Sequence, residues 1–288
     1  MSAETVDLTL LRQFLLRARN ADGGWGYQAG KASRLEPTCW AILALGSTLE
    51  RGAQKQWPCA EGLLLERHGA APNYAFHGQA LIVLRALNLE HAAGNRTLLA
   101  ALQRVKGTRL AASPINRQDN SLQAWSWIDG TFSWVEPTAW CLLAQKQWSA
   151  VPGAVGDRTR IVVAEQMLVD RCCAKGGWNY GNANMLGQDL KPFVPTTALA
   201  LLSLQDRPTL PEVARSVAFL EREATSERSG TALALALMAL RTYGRSTAAV
   251  RDTLVAQLPT TLGLGKIASA AMSLYALSEA GRHAAVVL

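Results

Sequence analysis

The 288-residue chain has no apolar run long enough to cross a membrane, and few of its residues are charged. The longest apolar stretch, residues 232–240, ends at Arg241 and is far shorter than the ~18 residues that span a bilayer. Charged residues make up 18% of the chain and apolar residues 49%, which excludes a disordered protein and predicts a large core.

Neither the charge nor the cysteines form a recognisable cluster. The chain carries 29 Lys and Arg against 22 Asp and Glu, a net charge of +7, but no block of five or six basic residues. We therefore expect no nucleic-acid partner, while the positive charge leaves peripheral contact with an anionic membrane open. An odd number of cysteines, with Cys172 beside Cys173, favours free thiols. Residues 1–7 lack the pattern of a signal peptide, so we expect a cytoplasmic protein.

The common catalytic and metal-binding signatures are also missing. The sequence contains no Gly-x-Ser-x-Gly elbow, phosphate-binding glycine loop or dinucleotide fingerprint. It has no Cys-x-x-Cys or His-x-x-x-His pattern. We therefore expect neither a cofactor nor a metal ion.

What the sequence does contain is a repeat. Residues 36–44, 136–144 and 194–202 each read as one leading residue, then Pro, then Thr, then a small and apolar run. Because proline fits the first turn of a helix, each copy marks a helix start. Residues 79–87, 230–240 and 267–277 keep the apolar run without the proline. These segments, roughly 40–60 residues apart, predict six buried helices.

Six amphipathic segments alternate with the buried ones. They cover residues 6–19, 59–67, 95–105, 157–169, 210–223 and 247–258, and Thr209 with Glu212 forms a capping box before the fifth. Two insertions, 106–135 and 174–194, have the composition of loops. The alternation predicts one all-α domain over residues 1–288, an (α/α)6 toroid of six helical hairpins with inner and outer helix rings.

Three loops carry a resemblance to a known family. Residues 19–27 read Arg-Asn-Ala-Asp-Gly-Gly-Trp-Gly-Tyr, which resembles the glutamine-tryptophan repeat of squalene and hopene cyclases, and residues 129–134 and 176–181 look like two further copies. With the Pro-Thr helices, these loops are similar to the prenyltransferase and squalene-oxidase repeat superfamily. That group includes class II terpenoid cyclases and the β subunits of protein prenyltransferases. The resemblance implies an α/α toroid with an isoprenoid or other apolar molecule in its central cavity.

The sequence departs from this family at the residues that carry its chemistry. The Asp-x-Asp-Asp acid motif of the cyclases is absent. Asp170-Arg171-Cys172 has the spacing of the prenyltransferase zinc pair, but it precedes a Gly-Gly-Trp turn, where the family's pair follows it. The resemblance therefore leaves open whether the protein is an enzyme.

Two glutamates and a histidine are the candidate catalytic residues. If the buried helices share one direction, Glu36 and Glu136 occupy equivalent positions at one mouth, and His77 opens the helix between them. Such a group could bind a divalent cation, or one carboxyl could act as an acid with a raised pKa. The alternative is that both glutamates cap their helices and that His77 hydrogen-bonds a loop.

Aromatic residues are the candidate substrate-binding residues. The set comprises Trp40, Trp140, Phe76, Trp134 and Tyr180, which could line an apolar cavity and stabilise a carbocation. Within it, packing is favoured for Trp40 and Trp140, and a pocket rim for Trp134 and Tyr180. The leading hypothesis is a terpenoid-cyclase-like or prenyltransferase-like protein that binds, and as an enzyme cyclises or transfers, an isoprenoid. The alternative is a non-catalytic toroid that binds a protein or peptide.

Overall fold

A computed structural model describes residues 7–49, 73–88, 93–115, 117–151, 157–278 and 285–288. In these ranges the chain forms eleven α-helices: α1 Thr9–Arg17, α2 Leu35–Leu45, α3 Tyr74–Ala86, α4 Ala93–Arg104, α5 Val135–Ser149, α6 Arg158–Asp170, α7 Val194–Ser203, α8 Pro211–Glu223, α9 Gly230–Thr242, α10 Ala248–Gly263 and α11 Ile267–Leu277. Two-residue strands β1 Asn184–Met185 and β2 Gln188–Asp189 pair antiparallel. The all-α prediction is confirmed. The predicted amphipathic segment 59–67 and Cys59 lie outside the described residues.

The helices fall into the two predicted kinds. In α2, α3, α5, α7, α9 and α11 nearly every residue is buried, and we call these the buried helices. In α8 the buried residues Val213, Val217 and Leu220 recur at helical spacing on one face. Each of α6, α8 and α10 packs against the buried helix next to it in sequence, which covers the apolar surface of that helix.

The buried helices contact one another in a cyclic order. Along the chain, each contacts the next: α2 with α3, α3 with α5, α5 with α7, α7 with α9, and α9 with α11. Helix α11 also contacts α2, so the order of neighbours returns to its start.

A tryptophan anchors the loop before three of the buried helices. The indole Nε1 atoms of Trp25, Trp125 and Trp178 donate to the carbonyls of Leu15, Leu102 and Leu168 over 2.6–2.9 Å. In the first loop, the backbone N–H of Trp25 donates to the hydroxyl of Thr38, which donates back to the Trp25 carbonyl. The same reciprocal pair joins Trp125 to Thr138 and Trp178 to Thr197. These bonds define three structural repeats.

These hydrogen bonds correct two details of how the repeat copies were matched to one another in the sequence. The tryptophan of the second loop copy is Trp125, because Trp134 lies just before α5 and donates its own backbone N–H to Trp125. In the third copy, Thr197 takes the place of Thr38 and Thr138, so the Pro-Thr match at residues 195–196 is shifted by one residue.

Some helix boundaries also differ from the predicted ones. The predicted capping box is wrong, since α8 begins at Pro211 with Leu210 as its N-cap and no side-chain cap. Helix α3 begins five residues before the predicted Gln79, where the side chain of Asn73 caps it through the Phe76 N–H. Helix α10 continues through Pro259 to Gly263.

Candidate functional site

The first residues of the buried helices meet at one end of the molecule. The backbone N–H groups of Ile267, Tyr74 and Val135, which begin α11, α3 and α5, donate to carbonyls in the loops that precede α2, α5 and α7. The acceptors are Tyr27, Trp127 and Tyr180, at 2.9–3.1 Å. Each acceptor lies two residues after an anchoring tryptophan. We call this end, where the buried helices start, the N-terminal end.

Glu36 and Glu136 occupy the same register at the N-terminal end. Each is the second residue of its helix, α2 or α5, and each lies four residues before a tryptophan. The two tryptophans, Trp40 and Trp140, meet edge to face with ring centroids 5.8 Å apart. Because residues i and i+4 share a helix face, the two carboxyl groups project toward the same space, one turn nearer the N-terminal end.

The surroundings of these glutamates change their acidity. Burial of the Glu136 carboxyl, together with the negative charge of Glu36, raises the pKa of Glu136 to about 7. In the described part of the chain, the Glu136 carboxyl accepts no hydrogen bond that would lower its pKa again. The hydroxyl of Tyr27 donates to Glu36 Oε2 at 2.8 Å. At neutral pH the Glu136 carboxyl therefore keeps its proton far more readily than an ordinary glutamate does.

Glu36 also lines a recess at the N-terminal end, which we call the Glu36 recess. Its volume is about 380 Å³, and its walls are formed by Tyr27, Gln28, Lys31, Glu36, Thr231, Lys266, Ala268, Ser269 and Met272. The two lysines place positive charge near the Glu36 carboxylate.

His77 and Phe76 lie at other registers of α3. Tyr74 begins α3 as Val135 begins α5, so the α3 residue at the register of the glutamates is Ala75. His77 is two residues further along, about 200° around the helix, and is buried with its ring edge-on to Tyr74 at 5.9 Å. Phe76 is half-buried and packs against the core. The register thus groups the two glutamates and leaves His77 on a different face.

Trp134 and Tyr180 lie together on a second recess, which we call the Tyr180 recess. It has a volume of about 460 Å³ and is lined by Trp134, Asn179, Tyr180, Gly181, Asn182, Leu190, Lys191 and Phe193. The Tyr180 and Phe193 rings are 5.2 Å apart, and Trp134 packs against Phe132 at 4.4 Å. Gly181 faces the Trp134 ring, where an added Cβ would meet the ring at 3.4 Å.

Apolar side chains are exposed around the N-terminal end. Leu186 is 72% exposed at the turn between β1 and β2, and its φ of +52° is a left-handed conformation that leucine rarely adopts. Loops of the same end also expose Tyr27, Ile128, Tyr180, Leu190, Phe193 and Leu264. Sequence reasoning identified Tyr180 but not Leu186, whose exposure depends on the hairpin.

The centre between the buried helices is tightly filled. Trp40 packs against Trp140 and Tyr275, and Val286 closes the space beside them, which leaves a cavity of about 10 Å³. That volume is room for about one water molecule, whereas ligand pockets measure about 300–1,000 Å³. The indole N–H groups of Trp40 and Trp140 have no hydrogen-bond partner in the described residues, unlike those of Trp25, Trp125 and Trp178.

A third recess, of about 900 Å³, lies where the buried helices end. On its wall, Lys146 Nζ is 2.7 Å from Glu165 and 2.5 Å from Asp206, and Arg207 also bonds Glu165. Burial raises the pKa of Glu165, but hydrogen bonds from Arg207 and Lys146 outweigh that effect and hold the pKa below its ordinary value. These charges are therefore largely satisfied by one another.

Metal-binding groups do not come together in the described residues, where no three His, Cys, Asp or Glu side chains form a cluster able to hold an ion. Asp170 pairs with Arg171 at the end of α6. Among the described helices, each is too short or too polar to span a lipid bilayer.

Comparison with known proteins adds information on the fold. No family model and no curated protein matches the sequence. A crystal structure of a protein from Actinoplanes is similar to this chain, with a TM-score of 0.56 and 18% sequence identity. The match covers 96% of this chain and 100% of the other. At this identity the likeness concerns the fold alone.

Proposed function

We propose that the chain is an (α/α)6 toroid that binds an isoprenoid or similar lipid-like molecule at the N-terminal end and uses Glu136 as a proton donor. The cyclic order of contacts among the buried helices supports the toroid. The observation that carries the function is the pairing of Glu36 with Glu136, one turn above two inward tryptophans, at the end where apolar side chains are exposed.

The chemistry follows from the state of the two carboxyl groups. A carboxyl with a pKa near 7 can still give its proton to an alkene or a leaving oxygen at neutral pH. The ionised Glu36 would then offset positive charge that develops on the ligand.

The ligand would be held outside the filled centre. The Glu36 and Tyr180 recesses, of about 380 and 460 Å³, fall within the range of ligand pockets. Exposed Tyr180, Phe193 and Leu186 supply apolar contact, and Lys31, Lys191 and Lys266 add positive charge. This combination suits a diphosphate-bearing isoprenoid, or a lipid delivered from an anionic membrane surface.

The direct test is turnover of labelled isoprenoids. The purified protein is incubated with deuterated farnesyl diphosphate, geranylgeranyl diphosphate and squalene, and products and co-purified lipids are identified by mass spectrometry. We expect Glu136→Gln to lower product formation at least about 100-fold, the scale of general-acid catalysis, while ligand binding persists. Glu221→Gln, at an exposed carboxylate of α8, is the matched control. Unchanged turnover in folded Glu136→Gln would contradict the catalytic role, and absence of binding to the wild type would contradict the ligand.

The second candidate is a non-catalytic toroid that binds a protein or peptide. The filled centre favours it, because Trp40, Trp140, Tyr275 and Val286 leave no chamber of ligand size between them. Capture of a partner protein by wild type and by Glu136→Gln alike, without isoprenoid binding, would support this candidate over the first.

A further inference from the structure

The segment Ala285–Leu288 lies against the ends of three buried helices. The backbone N–H of Ala285 donates to the Tyr275 hydroxyl oxygen near the end of α11, at 2.7 Å. Gln147, in the last turn of α5, and Gln205, just after α7, also contact the segment. The segment therefore lies at the end opposite to the paired glutamates.

Two glutamine side chains bind the backbone of the segment. Gln147 Nε2 donates to the carbonyls of Ala285 and Val287, at 2.6 and 3.1 Å. Gln205 Nε2 donates to the Val286 carbonyl at 2.9 Å, and Gln205 Oε1 accepts from the Leu288 N–H at 3.1 Å. All of these bonds are made to main-chain atoms. They would form equally well with another peptide of the same conformation.

One side chain of the segment, that of Val286, fits into a closed pocket. Val286 is 1% exposed and fills an apolar pocket formed with Trp40, Ile82 and Trp140. Val287 and Leu288 stay 41% and 45% exposed. Specificity would therefore come from one aliphatic side chain, as in peptide-binding sites that combine main-chain bonds with a single deep pocket.

The neighbouring recess has room for a longer chain. Val287 and Leu288 lie on its wall, and its volume is about 900 Å³. Its charged lining consists of four basic and two acidic side chains: Arg85, Lys146, Arg158, Arg207, Glu165 and Asp206. Lys146 and Arg207 already pair with Glu165 and Asp206, so acidic residues that follow the aliphatic positions of a peptide would match only the net excess of two positive charges.

The residues that contact Ala285–Leu288 also include a side-chain acceptor atom to which the segment donates no hydrogen bond. Gln147 is only 8% exposed, and its Oε1 has no hydrogen-bond partner in the described residues. A buried acceptor without a donor is costly, and a bound peptide could supply an N–H that Ala285–Leu288 does not.

We propose that Gln147, Gln205, Tyr275 and the Val286 pocket form a binding site for a short peptide of a partner protein. The peptide places an aliphatic side chain where Val286 lies, and Ala285–Leu288 is a built-in competitor that the partner displaces. This site does not depend on the proposed isoprenoid site at the other end.

The first test uses the wild-type protein. The probe is a synthetic peptide Ala-Val-Val-Leu-Asp-Glu, added at up to millimolar concentration because a tethered segment competes at roughly that effective concentration. Hydrogen exchange is followed by mass spectrometry. We expect amide exchange in residues 285–288 to rise on addition of the peptide, and a peptide with Asp at its second position to have no effect. Unchanged exchange of the segment at saturating peptide would overturn the proposal.

The second test weakens the competitor. Val286→Asp should bind the fluorescein-labelled peptide at least tenfold more tightly than the wild type does, as measured by anisotropy. Adding Gln147→Leu and Gln205→Leu should weaken that binding at least tenfold. Val286→Ser is the substitute if Val286→Asp does not fold. The proposed site would be contradicted if both glutamine substitutions left peptide binding unchanged. It would also be contradicted if a folded Val286→Asp or Val286→Ser variant did not bind the peptide.

Discussion

Trp40 and Trp140 are separated by 100 residues in sequence, and their rings meet edge to face with centroids 5.8 Å apart. They have the same position in two helices, each four residues after a glutamate. Neither indole N–H has a hydrogen-bond partner in the described residues, whereas the loop tryptophans donate to carbonyls. The two classes of tryptophan should therefore respond differently to the same substitution.

Phenylalanine substitutions test that difference. Trp140→Phe keeps an aromatic ring in the centre and removes an unpartnered N–H, so we expect a loss of less than about 1.5 kcal/mol in the free energy of unfolding. Trp125→Phe loses the bond to Leu102 and weakens the cation–π contact with Arg160, whose guanidinium lies 4.4 Å from the ring centroid. It should cost roughly 2–4 kcal/mol. Urea denaturation measures both; equal losses would show that the N–H groups do not distinguish the two sites.

We expect the free energy of unfolding to change with pH as Glu136 titrates. Its pKa rises on folding from 4.5 to about 7, so between these values the folded state holds a proton that the unfolded state has lost. Stability from this group is complete below pH 4.5 and is lost as the pH rises through about 7. The expected loss is on the order of 2 kcal/mol, since one pKa unit is worth about 1.4 kcal/mol and partial exposure reduces the effect.

Glu136→Gln is the measurement for this titration. Relative to the wild type, the variant should gain stability as the pH rises from 4.5 to 8, and Glu36→Gln should shift the transition of Glu136 to lower pH because it removes the neighbouring charge. Glu221→Gln serves as the control and should follow the wild type. If the difference in the free energy of unfolding between the wild type and Glu136→Gln stays constant with pH, the raised pKa is refuted.

We expect loss of the Thr138 hydroxyl to lower the free energy of unfolding more than loss of an ordinary threonine hydroxyl does. Its Oγ1 accepts from the Trp125 N–H and donates to the Trp125 carbonyl, both at 3.2 Å and both buried. Thr138→Val leaves two main-chain groups without partners and should cost about 1–3 kcal/mol. Thr253→Val, on the exposed face of α10, should change stability by less than about 0.5 kcal/mol. Thermal denaturation of the two variants makes the comparison.

We expect replacement of Leu186 to raise the stability of the protein and to weaken ligand binding. It takes a left-handed conformation in the two-residue turn with Gly187, where asparagine is preferred. Leu186→Asn should therefore stabilise the protein by about 1 kcal/mol and weaken binding of a lipid-like ligand. Leu264→Asn, at an exposed leucine with a φ of −77°, should weaken binding without that gain. Increased stability with unchanged ligand binding in Leu186→Asn would remove Leu186 from the proposed surface.

Much of the fold could be predicted because helical periodicity is a local property of the sequence. The six apolar runs all became buried helices, and α8, α10 and α11 begin within one residue of the predicted positions. The start of α3 was missed because residues 74–78 include Tyr, Phe and His, and only the Asn73 cap marks it. The predicted segment 247–258 ends before Pro259, but this proline removes only a local hydrogen bond from α10 and the helix continues.

The candidate site could be predicted where two repeats share a register. Glu36 and Glu136 have the same spacing to Pro, Thr and Trp, so their equivalence was visible in the sequence. His77 carried no such marker, and its helix face depends on where α3 begins. The bonds to residues 285–288 join Gln147 and Gln205 to positions 81–140 residues away, and no local pattern signals contacts of that range.

The contact of α11 with α2 has a consequence for how the protein behaves in solution. In an open stack of helical repeats, the first and last units each expose an apolar side, and special capping units are needed to prevent end-to-end growth into filaments. Here the first and last buried helices cover each other, and the Ile267 N–H donates to the Tyr27 carbonyl across that junction. In the proposed toroid, capping units are not needed, and a break at this junction would expose two apolar surfaces able to associate with other copies of the chain.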